Sequence, residues 1–306
     1  MLRHLRTLLL VCALPAVAVA QITFQFNFND TAGTGFNDAT LGATRQAALQ
    51  TAAGTLASYF TGYTRTVVID VTSVNQPGSS TLAAAGAGFF NIDNSFQRGV
   101  VQEHILFGTY PNVSLGEMEW NFGKSWDYDD DVAGGSFDFK AIAMHELLHT
   151  LGFSSFINGN GTGEGSNGTT WSHFDQFLTD TSGNRLVSTG GVYQGGTILT
   201  NGVGGDVFFS GAAAMAVFGG RVPIYSPEIY LAGSSLSHLD TDFFTSDAYL
   251  MEHAVAAGLA TRTLSSLELA ILTDLGYSVI PEPSTYALLF GAGALALAGW
   301  RRRRVA

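Results

Sequence analysis

The stretch His145-Glu146-Leu147-Leu148-His149 constrains this chain more than any other. Residues four apart on a helix lie one turn above each other on the same face, so both imidazoles can reach a single ion. The flanks agree with a helix from Phe139 to Leu151: Asp138 is placed to cap it, and Gly152 to end it in the left-handed conformation. Zinc accepts two such nitrogens, needs at least one more protein ligand, and leaves a position open for water. Glu146 stands beside the ion without having to bind it, where it can take a proton from a zinc-activated water. With 7 His among 306 residues, composition alone yields this pattern about once in 200 such chains. The plain alternative, two satisfied polar histidines on a helix, carries less weight.

Both termini are set apart by composition. Arg3 and Arg6 precede an apolar stretch from Leu8 to Val19, and Ala18-Val19-Ala20 gives a small-x-small cleavage pattern. Residues 1–20 therefore read as a signal peptide, too short to span a bilayer comfortably. At the other end, Pro281-Glu282-Pro283 leads into an apolar run from Thr285 to Trp300 and then Arg301 to Arg304. That run reaches roughly 24 Å as a helix, slightly less than a hydrocarbon core, with the arginines holding its end in the cytoplasm. The tail at 281–306 resembles the PEP-CTERM sorting signal of bacterial envelope proteins. The resemblance implies an exosortase-like processing enzyme as partner, transient membrane insertion through a short transmembrane span, and a destination in the cell envelope or outside the cell. A permanent anchor is the alternative.

Between these ends lie residues 21–280, read as one domain. Of the 14 basic residues 8 remain once Arg3, Arg6 and Arg301 to Arg304 are set aside, against 24 acidic residues without Glu282. Such a balance excludes a basic nucleic-acid footprint. The one cysteine, Cys12, leaves with the signal peptide, so disulfides are excluded. With 13% charged and 46% hydrophobic residues, the chain is too apolar to be disordered.

Along the domain, Ile22, Phe24, Phe26 and Phe28 alternate as in a strand, and 66–71 is β-branched. Asp38 is placed to cap a helix carrying Leu41, Leu49, Ala52, Ala53, Leu56 and Phe60. Residues 75–88 read as irregular, and 100–107 and 115–122 as strands. Five glycines make 158–168 a loop. Phe174 to Leu178 and Arg185 to Val187 read as a hairpin, and Ser265 and Glu268 have capping-box spacing ahead of a helix stopped by Gly276.

With Thr150-Leu151-Gly152-Phe153 the central motif becomes HExxHxxGF, and here the chain resembles the metzincins, zinc endopeptidases in which that Gly turns the chain into a C-terminal subdomain. The resemblance implies an α+β, zincin/metzincin-like fold. A twisted N-terminal sheet would carry helices and the active-site helix, and an irregular C-terminal subdomain would end in a helix. A cleft between about 21–152 and 153–280 is expected. The common pattern puts a third His or Asp where Ser155 stands, so the compact motif is broken. The leishmanolysin-type branch, with a distant third His, is more similar. Its match is Ser235-Leu236-Ser237-His238-Leu239, followed by Tyr249-Leu250-Met251. By this resemblance His145, His149 and His238 are zinc ligands, Glu146 the general base and acid, and Met251 the residue of a tight turn beneath them. His173 stays as a rival third ligand and Glu164 as a weaker one, while ordinary core packing is the alternative for Met251. His253 reads as facing solvent or a neighbour, and His104 as structural.

Asp127, Asp129 and Asp131 alternate, but Val132 and Asp138 stand where an EF-hand needs Gly and Glu. A solvated acidic loop is the plainer reading, and a Ca2+ site of another kind stays open. The expected function is an exported zinc-dependent endopeptidase acting on a peptide or protein that adds to an edge strand around Leu115 to Phe122. A non-catalytic envelope or matrix adhesion protein on the same scaffold, and a zinc amidase acting on cell-wall peptides, are the alternatives.

Overall fold

The alternating phenylalanines form strand β1 (Ile22–Phe28), and the β-branched run that follows helix α1 (Gly42–Ala57) forms β2 (Arg65–Val74). In the computed structural model, which describes residues 22–89, 96–110, 113–196, 205–244 and 248–280, these two strands pair in parallel. Strand β3 (Ala83–Gly86), helix α2 (Val100–Phe107) and strand β4 (Ser114–Asn121) complete the first half. The sheet order is β1-β2-β4-β3, with β4 parallel to β2 and β3 antiparallel on the edge.

One face of this sheet is apolar and the other polar, as the period of two requires. Val67, Ile69, Val71, Met118 and Trp120 are buried, whereas Gln25, Asn27, Thr72, Glu117 and Glu119 are exposed. Helix α3 (Phe139–Thr150) enters on the apolar face, its Phe139 ring stacked on Trp120 at 4.0 Å. It packs on α1, on β4 and on the edge strand β3.

The second half is sparser in regular structure. Short strands β5 (Leu178–Thr179), β6 (Val207–Phe209) and β7 (Val222–Ile224) form an antiparallel sheet with β6 in the middle. Helix α4 (Ala212–Phe218) packs on the closing helix α5 (Ser266–Asp274). The halves are tied where α3 ends: the Tyr277 hydroxyl donates to Leu151 O at 2.8 Å, and the Gln102 amide to Leu275 O at 2.9 Å. The chain is thus a mixed α/β structure, with five α-helices and several sheets among the described residues.

Several local expectations are met. Asp138 caps α3 by accepting from the N–H groups of Lys140 and Ala141, and the Ser265/Glu268 capping box forms at α5. Others are corrected. Residues 100–107 are a helix: Val100, Val101 and Ile105 are buried on one side, and Gly108 closes it in the left-handed conformation. Tertiary burial outweighs the β preference of its valines. The stretch at 75–88 contains β3, an Ala-rich strand that no β-branched signal announces. Pairing in the expected hairpin begins only at Leu178, because Asp175–Phe177 is a 3-10 turn. Helix α1 starts at Gly42, and Asp38 instead accepts from Thr40 and Leu41 just before it. The signal peptide and the sorting tail lie outside the described residues. No helix among those described is long and apolar enough to cross a membrane.

Gly152 has φ +93°, and a Cβ there would stand 2.8 Å from the Gln102 side-chain oxygen. Gly152→Ala should cost about 1–3 kcal/mol through left-handed strain and this contact. Urea unfolding should show a lower midpoint at unchanged slope.

Candidate metal centre

Helix α3 presents His145 and His149 on one face, and the segment after β7 brings His238 against them. The three Nε2 atoms stand 3.1 Å apart in every pair. Each ring is oriented by a backbone carbonyl: the Nδ1–H of His145 donates to Leu250 O at 2.7 Å, that of His149 to Phe153 O at 2.7 Å, and that of His238 to Ser234 O at 2.8 Å. With the proton of each ring fixed on Nδ1, every Nε2 carries a lone pair and none has a proton to share. Three lone pairs aimed at one point repel unless a cation lies among them, so the cluster is one that could hold a metal ion. Nitrogens at about 2.0–2.1 Å from a tetrahedral ion stand about 3.3 Å apart, near the separation found here. The residues therefore fit a dication. Among the described residues, this is the group of three or more His, Cys, Asp or Glu side chains arranged to hold a metal.

Burial reinforces that chemistry. It pushes His145 down to about 4 and His149 down to about 3, the latter helped by the charge of His145. His238 is driven well below its usual range by burial and then by its two partners. All three are neutral at physiological pH, the form that binds metal. Glu146 is pushed up to about 8 by burial, and the Ala85 N–H, donating to its carboxylate, pulls it back. That N–H comes from the edge strand β3, which sequence alone does not reveal.

The histidines and Glu146 open into a cavity of about 980 Å³. Its lining draws on Ala83 to Ala85 and α3 from one half, and on Ser154 to Asn158, Tyr230 to Ser235, Tyr249, Leu250 and Glu252 to Val255 from the other. The edge-strand expectation is corrected here. Residues 115–121 fall on β4, inside the sheet, and the strand that flanks the cavity is β3.

The rival residues stand outside the three-histidine cluster. The ring of His173 is engaged by Arg98 at 3.2 Å and by Gln176 at 2.9 Å, and it does not join the cluster. Glu164 is exposed at the cavity rim, in a backbone bridge to Thr170. His104 is held between the carbonyls of Thr66 and Thr109, a structural role. Expected to face solvent or a neighbour, His253 stacks on Tyr225 at 3.6 Å between ring centroids and lines the cavity. Met251 is fully buried, and its neighbour Leu250 supplies the carbonyl that orients His145. In the acidic loop, Asp127 accepts from Asp129 and Ala133, and Asp130 pairs with Lys140 and Arg262. Those carboxylates are already engaged by the protein itself.

Ser155, at the position of the compact motif's third ligand, donates its N–H to Ser237 Oγ at 3.0 Å, which ties it to the residue before His238. The turn that carries His238 holds Leu236 at φ +68°. A buried leucine in that region stores strain of order 1–2 kcal/mol, and no sequence signal announces it.

Residues 279–304 match the family of the PEP-CTERM protein-sorting motif. No curated protein and no solved structure matches the chain. The tail therefore marks the chain for export and envelope-associated sorting by exosortase-type enzymes. It leaves the chemistry of the domain to be argued from the domain's own geometry.

Two outcomes follow. His238→Ala should abolish stoichiometric zinc retention, read by metal analysis after dialysis; one ion per chain kept by the variant would move the third ligand elsewhere, His173 first. Asp175, fully buried against Ser155 and Phe156, is pushed up to about 6 by burial, against opposing hydrogen bonds from Ser155, Phe156 and Ser172. Between the unfolded carboxyl range and pH 6 the folded chain binds the extra proton, so Asp175 lowers stability as pH rises through that window. Asp175→Asn should remove that slope, worth at most about 3 kcal/mol, when unfolding free energies of parent and variant are compared at pH 4 and pH 7.

Proposed function

We propose that the chain is a zinc-dependent endopeptidase of metzincin-like architecture. The observation that carries this reading is the convergence of three unprotonated Nε2 atoms beside Glu146 at the floor of an open cleft. An edge strand along that cleft and a helix that stops at a left-handed Gly152 support the architectural likeness. His145, His149 and His238 would hold the ion. Bound there, a Lewis-acidic dication polarises a substrate carbonyl and makes a neighbouring water more acidic.

The rest is the work of this chain's own residues. An extended peptide lies along β3 and adds to its free edge by backbone hydrogen bonds. Glu146 accepts a proton from the attacking water, and the Ala85 N–H fixes the orientation of its carboxylate. The water oxygen bonds to the carbonyl carbon, the C–N bond breaks, and Glu146 delivers the proton to the departing amine nitrogen. Burial raises the proton affinity of Glu146 and a dication bound beside it would lower it, opposing effects that suit a group that must both take and return a proton near neutral pH.

Glu146→Gln in the full chain should lower the rate of cleavage of an unfolded protein by about 10²–10⁴-fold while leaving zinc content unchanged. The measurement is proteolysis of the same substrate by zinc-loaded parent and variant. No cleavage by the folded, zinc-loaded parent would transfer the reading to a non-catalytic envelope protein.

A further inference from the structure

We propose that Glu268 is a positioning residue of the histidine centre, holding the Leu250–Met251 backbone in the place from which it orients the His145 ring. The proposal rests on reading the three histidines as a metal centre. Glu268 belongs to the capping box of α5, and its Oε2 does all that a cap requires. That oxygen accepts from the Ser265 N–H at 2.7 Å and the Ser265 hydroxyl at 2.8 Å. The other oxygen reaches away from the helix. Oε1 accepts the Met251 N–H at 2.7 Å, and the Leu250 N–H also acts on the carboxylate.

The segment so gripped is joined to two of the three histidines. Leu250 O takes the Nδ1–H of His145 at 2.7 Å, and Met251 O takes the N–H of Leu239, the residue after His238, at 2.8 Å. Glu268 is fully buried. Burying a carboxylate is costly unless its lone pairs are satisfied, and an exposed Glu or Gln would serve a capping box as well. The second oxygen and the burial are explained by the turn. Moving that turn would swing the carbonyl that sets the tautomer and plane of His145, and partners of this kind change metal affinity about 10–100-fold.

The test uses the full chain and two readouts, zinc affinity by competition with a chelator and the visible absorption of the cobalt(II)-loaded protein. Glu268→Gln keeps the volume but turns an amide N–H toward one set of donors. Glu268→Asp keeps a capping carboxylate and withdraws it from Met251. Ser265→Ala is the control, weakening the cap while leaving the Glu268–Met251 bond. Both Glu268 variants should bind zinc about 10-fold more weakly and shift the cobalt bands. Ser265→Ala should lose thermal stability yet keep the parent's affinity and spectrum. If Glu268→Gln does not fold, Glu268→Asp decides. Parent-like affinity and spectrum in the folded Glu268 variants would overturn the proposal, as would equal weakening by Ser265→Ala. A parent chain that takes up neither zinc nor cobalt would overturn the metal-centre reading, and this proposal with it.

Discussion

Three imidazole lone pairs held 3.1 Å apart are an arrangement that a protein must enforce. The enforcement is distributed. Each ring is locked by a carbonyl from a different place: Phe153 just past α3, Ser234 in the turn before His238, and Leu250 beside Met251. A helix with two histidines four apart would otherwise leave both side chains free to rotate toward water. The pocket thus exists only when the second half of the chain is folded against α3. The sparse regular structure of that half fits this task, since its segments at Phe153, Ser234 and Leu250 each place a carbonyl.

Helix α3 is fixed along its length by the same logic. At its start, Asp138 spends one carboxylate oxygen on the N–H groups of the first turn and the other on Arg262 at 2.6 Å. Breaking so buried a pair leaves an uncompensated charge, which is far more costly than the pair is stabilising. At its middle, His145 is oriented through the turn that Glu268 grips, and at its end Tyr277 seals Leu151. Arg262, Glu268 and Tyr277 lie within one short stretch of sequence that also forms α5. The closing helix and its approaches therefore brace α3 at three points, although the sequence distance between them exceeds 100 residues.

What the sequence made legible follows from how local each signal is. The helix at 139–150, its cap, its stop at Gly152 and the α5 capping box are encoded within a few residues, and all four appear. The pairing of His238 with His145 and His149 was readable only through resemblance, because no periodicity links positions so far apart. The misreadings at α2 and β3 share a cause. Valines in 100–107 favour strands in isolation and alanines in 83–86 do not, yet packing decides both: α2 lies against β2 and β4, and β3 pairs with β4. Leu236 in the left-handed region was invisible for the opposite reason, since its side chain is ordinary and only the turn around His238 demands the backbone.

An ion at this site would also change what holds the second half in place. The domain between the two terminal segments has no cysteine, so it cannot staple its loops covalently. A ligand that binds only the folded state stabilises it by about 2.7 kcal/mol at one hundred times its dissociation constant. A metal joining α3 to His238 closes a loop of more than 80 residues across the junction at Gly152, where few regular elements cross. The cross-link and the chemistry would then be one object. The strained turn at Leu236 and the buried carboxylate of Glu268 both belong to the segments that place this geometry, and an ion bound there would return stability to the half of the chain that carries them.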